Sequence, residues 1–284
     1  MPGMTLGGTI ALGGDLEVHR LGYGAMRITG DGIWGPPPDR EAALAVLRRT
    51  VELGIDLIDT ADSYGPHVSE QLIAEALHPY PDALVIATKG GLERTGPGKW
   101  PRNGRPEHLK AACEGSLRDL NVDRIDLYQL HAPDEHVPYA ESVGALKELQ
   151  EEGKIRHIGV SNVSVEQLAE ARSLVEVVTV QNRFNLTDRV DQDVLDVCER
   201  DGIGFIPWFP LEAGDLAKPG GILGEIAAAH DATPGQIALA WLLAHSPVML
   251  PIPGTSSIAH LEENVAAASL VLRADEVARL DAAA

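Results

Sequence analysis

The chain has few cysteines and lacks the spacings of metal-binding motifs. Only two of its 284 residues are cysteines, Cys113 and Cys198, and both fall in stretches with a helical pattern. We therefore expect two reduced, buried thiols in an intracellular protein rather than a disulfide framework. The ten histidines form no HxH or HExxH pattern, and no CxxC pair is present, so the sequence predicts no metal site.

Basic residues are also scarce. Lys and Arg together number 23 against 42 Asp and Glu, which gives a net charge of -19. A chain this acidic, without a basic patch, is not expected to bind nucleic acid or anionic lipid. No apolar run reaches the roughly 18 residues of a membrane span, and the first 20 residues lack the pattern of a secretory signal. We expect a cytoplasmic monomer with no nucleic-acid or membrane partner.

The sequence does contain a regular alternation of short apolar runs and longer amphipathic stretches. The apolar runs have strand length and lie at 19–25, 55–59, 84–88, 125–130, 155–160, 177–181, 203–208 and 248–252. The helical patterns lie at 39–53, 67–78, 106–120, 138–152, 164–173, 190–201, 233–245 and 258–268, with a last one near 274–283. Eight strand–helix units without a break in composition predict an α/β fold, a single (β/α)8 TIM barrel over residues 1–284.

Two further patterns bear on the fold. The segments TIAL and LEVHR flank the turn Gly13-Gly14-Asp15, which predicts an N-terminal β-hairpin. A doubly wound nucleotide-binding sheet would need a GxGxxG loop between its first strand and helix. LGYGAM (21–26) has only GxG and no helix directly after it, so the sequence favours the barrel.

Three of the predicted strands end on an ionisable residue. IDLID ends at Asp59, LVIATK at Lys89 and IDLYQLH at His131, and Tyr64 follows the first of these runs by a short loop. Parallel strands buried on both faces have no packing reason to end in this way, but the C-terminal ends of barrel strands share an active-site rim. The sequence therefore predicts that the four side chains meet at one site.

These four side chains suit the protonation of a carbonyl oxygen. A tyrosine has an ordinary pKa near ~10, a nearby lysine ammonium lowers it, and an aspartate keeps that lysine charged. A neutral histidine can donate a hydrogen bond to the substrate oxygen. The set fits carbonyl reduction and, in reverse, alcohol oxidation. Taken singly, Asp59 also fits a cap, Tyr64 a turn, His131 a core position, and Lys89 the Schiff-base lysine of an aldolase.

The segment GIDLIDTADSYGPHVSEQLIAEAL resembles the signature of the aldo-keto reductases. VIATKGG, DLYQLHAPD and GVSNVSVEQL are similar to the next motifs of that family, and the similarity continues through VQNRFNL, IPWFPLEAG and IPIPGTSSIAHLEENVAAA. The similarity covers roughly residues 18–270. The members that this chain resembles are compact, bacterial-type ones with a short C-terminus. The resemblance implies an NADP-dependent reductase in which Tyr64 is the general acid and base, Lys89 and Asp59 tune it, and His131 orients the carbonyl.

The resemblance also implies a nicotinamide cofactor site at the ends of the later strands. Ser161, Asn162 and Gln181 would bind the nicotinamide amide, and Trp208 would stack on its ring. The other implied contacts, which cover the pyrophosphate, the adenosine ribose and phosphate, and the adenine, are Gly24, Met26, Phe209, Pro210, Leu211, Gly214, Lys218, Gly254, Thr255, Ser256, Ser257, His260, Glu263 and Asn264. The loop GTSS leads into a predicted helix N-terminus, a setting that favours anions.

The last loop departs from the family pattern for NADP. Many members place basic residues there to bind the 2′-phosphate, but this chain has no Arg or Lys between Met249 and Arg273. A missing guanidinium removes a bidentate, charge-assisted contact. We expect NADPH as cofactor, held by serine hydroxyls and the helix dipole, with a preference over NADH weaker than usual and NADH usable.

The substrate side carries less information. The connection APDEHVP is short, and the printed chain ends directly after its last predicted helix, without the long loop that encloses the substrate in larger members. We expect an open pocket for small aldehydes, including aromatic or pyridoxal-like ones, with Trp34 and Trp100 in its wall. Two other functions stay open: a cofactor-binding regulatory subunit without turnover, and a Schiff-base aldolase using Lys89.

Overall fold

The computed structural model describes residues 6–211 and 221–283. Its strands are β1 (Thr9–Leu12), β2 (Leu16–His19), β3 (Tyr23–Gly24), β4 (Leu57–Asp59), β5 (Val85–Gly90), β6 (Ile125–Leu130), β7 (Ile155–Ser161), β8 (Val177–Arg183) and β9 (Gly204–Trp208). Its α-helices are α1 (Arg40–Glu52), α2 (Val68–Leu77), α3 (Pro106–Leu120), α4 (Tyr139–Glu151), α5 (Val165–Leu174), α6 (Gln192–Asp201), α7 (Gly221–Ala229), α8 (Pro234–His245), α9 (Ile258–Ala267) and α10 (Ala274–Asp281).

The strands β3 to β9 form a parallel sheet in chain order, with helices between successive strands, which confirms the TIM-barrel prediction. Each of these strands is buried along most of its length. That burial explains the nearly continuous apolar runs, because helices cover one face of a barrel sheet and the interior covers the other. The predicted run at 19–25 is divided in the structure, since His19 ends β2 and the sheet begins at Tyr23.

The structure corrects the eighth predicted strand, 248–252. This segment forms an isolated parallel bridge to β9 and not a strand. Its backbone hydrogen-bonds to Phe205 at 2.8 Å on one side and to Gly22 at 3.0 Å on the other, so it still joins the last strand to the first. Pro251 and Pro253 have no N–H group to donate, and the hydrogen-bond ladder cannot extend through them.

Side-chain caps set the starts of two helices at the C-terminal rim. Ser164 accepts from the backbone of Gln167 while the Gln167 side chain accepts from the backbone of Ser164, a complete capping box before α5. Thr233 and Gln236 form the same arrangement before α8. The preceding helix, α7, has no counterpart among the predicted elements.

An N-terminal hairpin closes the other end of the barrel. Strands β1 and β2 pair antiparallel, as predicted, and the turn residue Asp15 contacts His157 at 2.7 Å and Arg156 at 2.8 Å on β7. At Gly13, which has φ +58°, a Cβ atom would lie 2.5 Å from the His157 ring, so the turn requires glycine. The hairpin packs on inward side chains of the barrel in one apolar cluster: Leu12, Leu16, Val18, Leu57, Val85, Ala87, Leu127, Val178, Ile206, Leu250 and Ile252.

The two cysteines lie as the sequence predicts. Cys113 in α3 and Cys198 in α6 are free and buried, and burial raises the pKa of each thiol to about 12. Such thiols stay protonated and unreactive at neutral pH. Among the helices of the described residues, none has the length and hydropathy needed to cross a bilayer.

Candidate active site

A cavity of about 1050 Å³ opens at the C-terminal ends of the barrel strands. Of the four residues predicted to meet there, Asp59, Tyr64 and His131 line it, and Lys89 lies directly beneath them. The predicted cofactor contacts that line it are Gly24, Met26, Ser161, Asn162, Gln181, Trp208, Phe209, Pro210, Leu211, Gly254, Thr255, Ser256, His260, Glu263 and Asn264. Gly214 and Lys218 fall outside the described residues.

Lys89 is the centre of the polar cluster. Its ammonium donates to Asp59 Oδ1 at 2.6 Å, to the Thr60 carbonyl at 2.7 Å and to Tyr64 Oη at 3.4 Å, and the side chain is fully buried. Burial opposes its charge, but Asp59 and Tyr64 outweigh burial, and the pKa of Lys89 is raised. A lysine held as an ammonium by three acceptors is unsuited to Schiff-base chemistry, which needs the free amine.

Two glutamine side chains hold the other oxygen of Asp59. Gln181 Nε2 donates to Oδ2 at 2.9 Å, and Gln129 Nε2 donates to it at 3.1 Å. With Lys89 on Oδ1, the buried carboxylate has hydrogen bonds on both oxygens, which offsets its desolvation. Gln129 is absent from the predicted site, although it lies on β6 two residues before His131, a spacing that directs both side chains to the same side of the sheet.

Tyr64 differs from the sequence expectation in its acidity. Burial raises its pKa above the ordinary value, and the attraction of Lys89 offsets this only in part. The hydroxyl is therefore protonated at neutral pH. In that state it can donate a proton to an oxygen placed in the cavity, while the neighbouring ammonium stabilises the phenolate left behind.

His131 is neutral at physiological pH. Burial lowers its pKa well below the ordinary value, and the nearby charge of Lys89 lowers it further. Its Nδ1 lies 3.4 Å from Ser63 Oγ, and its ring meets the Tyr64 ring edge-on with centroids 5.9 Å apart. Tyr64 and His131 thus present a hydroxyl and a neutral imidazole at the same wall of the cavity.

The residues predicted to bind the nicotinamide form a connected network beside this wall. Asn162 donates to the His131 carbonyl and to Ser161 Oγ, each at 3.0 Å, and accepts from Trp208 Nε1 at 3.1 Å. Ser161 Oγ donates to the Gln181 carbonyl at 2.7 Å. Asn162 has φ +59°, a conformation that asparagine tolerates better than most residues. The network fixes the Trp208 indole at one end of the cavity.

The loop at 254–260 lies at the far end of the cavity. A Cβ atom at Gly254 would come within 2.5 Å of the Gly24 carbonyl oxygen, so the two loops touch backbone to backbone. Ser257 does not line the cavity; its Oγ caps α9 by accepting from the His260 backbone at 3.4 Å. Thr255 Oγ1 likewise accepts from the Ser257 backbone at 3.0 Å. These caps leave Ser256 as the serine of this loop that faces the cavity.

A basic side chain lines this end of the cavity, although the loop itself has none. Arg27, in the 3-10 helix Ala25–Ile28, is exposed in the cavity wall. Within residues 6–211 and 221–283, no side chain or carbonyl holds its guanidinium. Sequence reasoning confined to positions 249–273 could not find it, because it follows β3, the first strand of the barrel, which closure of the ring brings next to this loop.

The two predicted pocket tryptophans are placed differently. Trp100 lines the cavity, and its ring meets Tyr64 edge-on with centroids 6.2 Å apart. Trp34 does not line it: its backbone pairs with Gly65, and its ring, 37% exposed, lies 5.6 Å from the Arg94 guanidinium. Arg94 connects the loops that carry both tryptophans, and no sequence signal in its Gly- and Pro-rich loop indicated this.

Comparison with known proteins places the chain in a class. The sequence profile of the Aldo/keto reductase family matches residues 20–284. An uncharacterized oxidoreductase of Schizosaccharomyces pombe is 53% identical over 96% of this chain and 89% of its own length. Pyridoxine 4-dehydrogenase of Escherichia coli is 46% identical over 94% of this chain and 96% of its own length.

The fold leads to the same class. A Klebsiella pneumoniae aldo/keto reductase, solved in complex with NADP and acetate, superposes with a TM-score of 0.81 at 29% identity, covering 97% of this chain and 94% of that one. A parallel barrel with ionisable side chains at its C-terminal rim defines a class of barrel enzymes. The chain belongs to the aldo/keto reductase family and is an oxidoreductase of that family.

Proposed function

We propose that the protein reduces aldehyde and ketone carbonyls to alcohols with NADPH, using Tyr64 as the proton donor. The observation that carries this proposal is the chain of contacts from Asp59 through Lys89 to Tyr64, with His131 beside it on the cavity wall. This arrangement is a buried acid with a charged partner, open to a cavity large enough for a dinucleotide and a small substrate.

The proposed mechanism assigns one step to each side chain. When bound, the nicotinamide supplies a hydride to the carbonyl carbon. Tyr64 gives its hydroxyl proton to the carbonyl oxygen, and Lys89 stabilises the resulting phenolate. Asp59 keeps Lys89 charged and in place, while the neutral His131 holds the carbonyl oxygen by a hydrogen bond. In alcohol oxidation the same proton returns to Tyr64.

The residues of the cavity fit a nicotinamide dinucleotide. Ser161, Asn162 and Gln181 present amide and hydroxyl groups for the carboxamide, and the indole of Trp208 offers a flat face for the ring. The Klebsiella pneumoniae relative binds NADP, which supports NADP(H) here. Arg27 gives the far end of the cavity a guanidinium, which suits a phosphate group. It strengthens the case for NADPH beyond what the last loop alone predicts.

Aromatic aldehydes of the pyridoxal type are the proposed substrates. A relative that is 46% identical is named pyridoxine 4-dehydrogenase, which supports a substrate of the pyridoxine or pyridoxal type. In this chain Trp100 and Tyr64 meet edge to face in the cavity wall, and Ile33 and Leu92 add apolar surface. A flat aromatic ring fits such a surface better than a polar sugar does.

A substrate panel tests the proposal. Purified protein is mixed with pyridoxal, benzaldehyde, propanal and a ketone, each with NADPH and then with NADH, and absorbance at 340 nm is followed. We expect turnover that is fastest with an aromatic aldehyde and NADPH. Binding of NADPH without turnover of any carbonyl compound would favour a regulatory subunit, and a kcat/KM ratio in favour of NADH would reject the cofactor assignment.

A further inference from the structure

We propose that Arg94 is a positioning residue that clamps three loops together and so shapes the aromatic wall of the substrate pocket, which Trp100 and Tyr64 form. The proposal rests on the proposed function, since it concerns the substrate side of the same cavity. The Arg94 clamp consists of the Arg94 guanidinium and the five backbone carbonyl oxygens that it binds: Gly32, Ile33, Ser63, Gly96 and Lys99. Arg94 itself touches neither Tyr64 nor the reacting atoms.

The clamp uses every N–H donor of the side chain. Arg94 Nε donates to Lys99 at 3.1 Å, one terminal nitrogen donates to Ile33 at 2.6 Å and Ser63 at 2.8 Å, and the other donates to Gly32 at 2.9 Å and Gly96 at 3.4 Å. A guanidinium has five N–H groups in a fixed plane. With all five satisfied by carbonyls, Arg94 is not available as a binding group for an anionic substrate.

The partners lie on three consecutive loops at the rim. Gly32 and Ile33 follow β3, Ser63 follows β4 directly before Tyr64, and Gly96 and Lys99 belong to the loop after β5. Apart from the 3-10 helix Ala25–Ile28 in the first of them, these connections have no helix or strand of their own, and the pairing between them is limited to isolated bridges. A lysine could not replace the arginine, because its compact ammonium has three donors and no planar fork.

The clamp also holds the aromatic wall in place. The Arg94 guanidinium lies 3.6 Å from the centroid of the Trp100 ring, a close cation–π contact, and the Trp100 and Tyr64 rings form a T-shaped contact. Ile33, which lines the cavity, has φ +55°, a strained conformation for a β-branched residue. The 2.6 Å hydrogen bond from Arg94 to its carbonyl stabilises that conformation.

Loss of the clamp should affect substrates according to their shape. Without the clamp, Trp100 and Ile33 lose their fixed positions, so a substrate that packs on them binds less well. A small aliphatic aldehyde that needs only Tyr64 and His131 is affected much less. Within residues 6–211 and 221–283, no hydrogen bond of the clamp goes to Asn162, Trp208 or the 254–260 loop, the parts of the cavity proposed to hold the cofactor.

The test is a double-mutant cycle of Arg94→Met and Trp100→Ala. In Arg94→Met we expect KM for an aromatic aldehyde to rise roughly tenfold, the scale of lost contacts in an apolar pocket, with kcat and the Kd for NADPH unchanged within about twofold. The double variant should match Trp100→Ala, because the two residues act through one wall.

Two further variants are controls. Arg94→Lys should keep the raised KM for the aromatic aldehyde, and Arg105→Met, which removes an exposed arginine paired with Glu107, should behave as wild type.

Two results with aromatic aldehydes would overturn the assignment. The first is an unchanged KM for aromatic aldehydes in Arg94→Met, and the second is a loss that multiplies with that of Trp100→Ala. A uniform fall in kcat on all substrates, or a lower Tm with unchanged kinetics, would also reject it in favour of a purely structural role. Acrylamide quenching of tryptophan fluorescence is a readout that needs no turnover. Arg94→Met should increase the quenching, and the same substitution in a Trp100→Phe background should not. If wild type reduces no carbonyl, the proposed function fails while this readout still tests the clamp.

Discussion

The two ends of the barrel interior differ sharply although the same strands build both. At the amino end the hairpin and the inward side chains form an apolar cluster, represented by Leu57 on β4 and Leu127 on β6. At the carboxyl end the same strands lead to Asp59 and, just past the strand end, His131. Leu57 and Asp59 are two residues apart and share the inward face of β4. One layer of the barrel is therefore stabilised by packing and the next by hydrogen bonds.

The two ends therefore contribute differently to stability and to activity. The apolar cluster at the amino end contains no polar side chain, so it contributes burial free energy at little cost. The polar end contains a buried lysine, aspartate and histidine, whose desolvation must be offset by hydrogen bonds and ion pairing. We therefore expect substitutions at the two ends to separate loss of activity from loss of stability.

The largest effect is expected from Tyr64→Phe. Removing the proton donor should lower kcat for carbonyl reduction by about 10²–10⁴-fold, while NADPH binding and Tm change little. Steady-state rates at 340 nm and a fluorescence titration with NADPH measure the two quantities. Tyr139→Phe is the matched control, because the buried Tyr139 hydroxyl has no partner among the described residues. Wild-type activity in Tyr64→Phe would remove the basis of the proposed mechanism.

A substitution at the amino end should lower stability and leave activity unchanged. Leu127→Ala leaves a cavity in the apolar cluster and should lower the free energy of unfolding by about 2–5 kcal/mol, with kcat close to wild type at a temperature where the protein stays folded. Chemical denaturation measures the change, and Val190→Ala, at a side chain that is 76% exposed, is the control. A large loss of kcat without loss of stability would contradict the division between the two ends.

A smaller effect is expected from Glu70 on α2, a buried carboxyl for which the described part of the chain shows no ion pair. Burial raises the pKa of Glu70 from 4.5 to about 7, and Thr88 Oγ1 donates to its Oε1 at 2.6 Å. The folded state binds this proton more tightly than the unfolded state. Stability should therefore fall as pH rises from about 5 to 8, by up to about 3 kcal/mol.

Glu70→Gln tests this pH dependence. The amide keeps the shape and the acceptor oxygen for Thr88 but cannot ionise, so the decline in unfolding free energy between pH 5 and 8 should flatten. Denaturant curves at several pH values, with exposed Glu135→Gln as the control, measure it. The same slope in the variant and the wild type would show that the buried carboxyl does not titrate in this range.

The smallest effect is expected from Arg27→Gln, which tests the cofactor end of the rim. If the Arg27 guanidinium binds the 2′-phosphate, the Kd for NADP should rise by about tenfold and that for NAD should not change. Isothermal titration with each nucleotide separates the two. Equal losses for both would place Arg27 on the pyrophosphate, and no loss for either would exclude it from the cofactor site.

Much of the site could be predicted because barrel strands end at a common rim. The positions of Asp59, Lys89 and His131 at strand ends were enough to bring them together, and Tyr64 follows by a loop too short to leave that rim. The fold class was predicted correctly, but three elements were not: prolines prevent a strand at 248–252, the run 19–25 is divided between β2 and β3, and α7 was not predicted. Trp34 was expected in the pocket wall as a loop tryptophan, and Ser257 was expected at the cofactor from the family resemblance. Neither argument determines which way a loop side chain points.

The sequence by itself determined the barrel, the four ionisable side chains at its rim and the family, because these depend on the order and period of residues along the chain. Tertiary structure alone decided the contacts between residues distant in sequence: Gln129 and Gln181 on Asp59, and Arg94 across three loops. It also decided the sign of the Tyr64 pKa shift. Burial and partner geometry arise only when the ring of strands closes, so no local pattern in the sequence contains them.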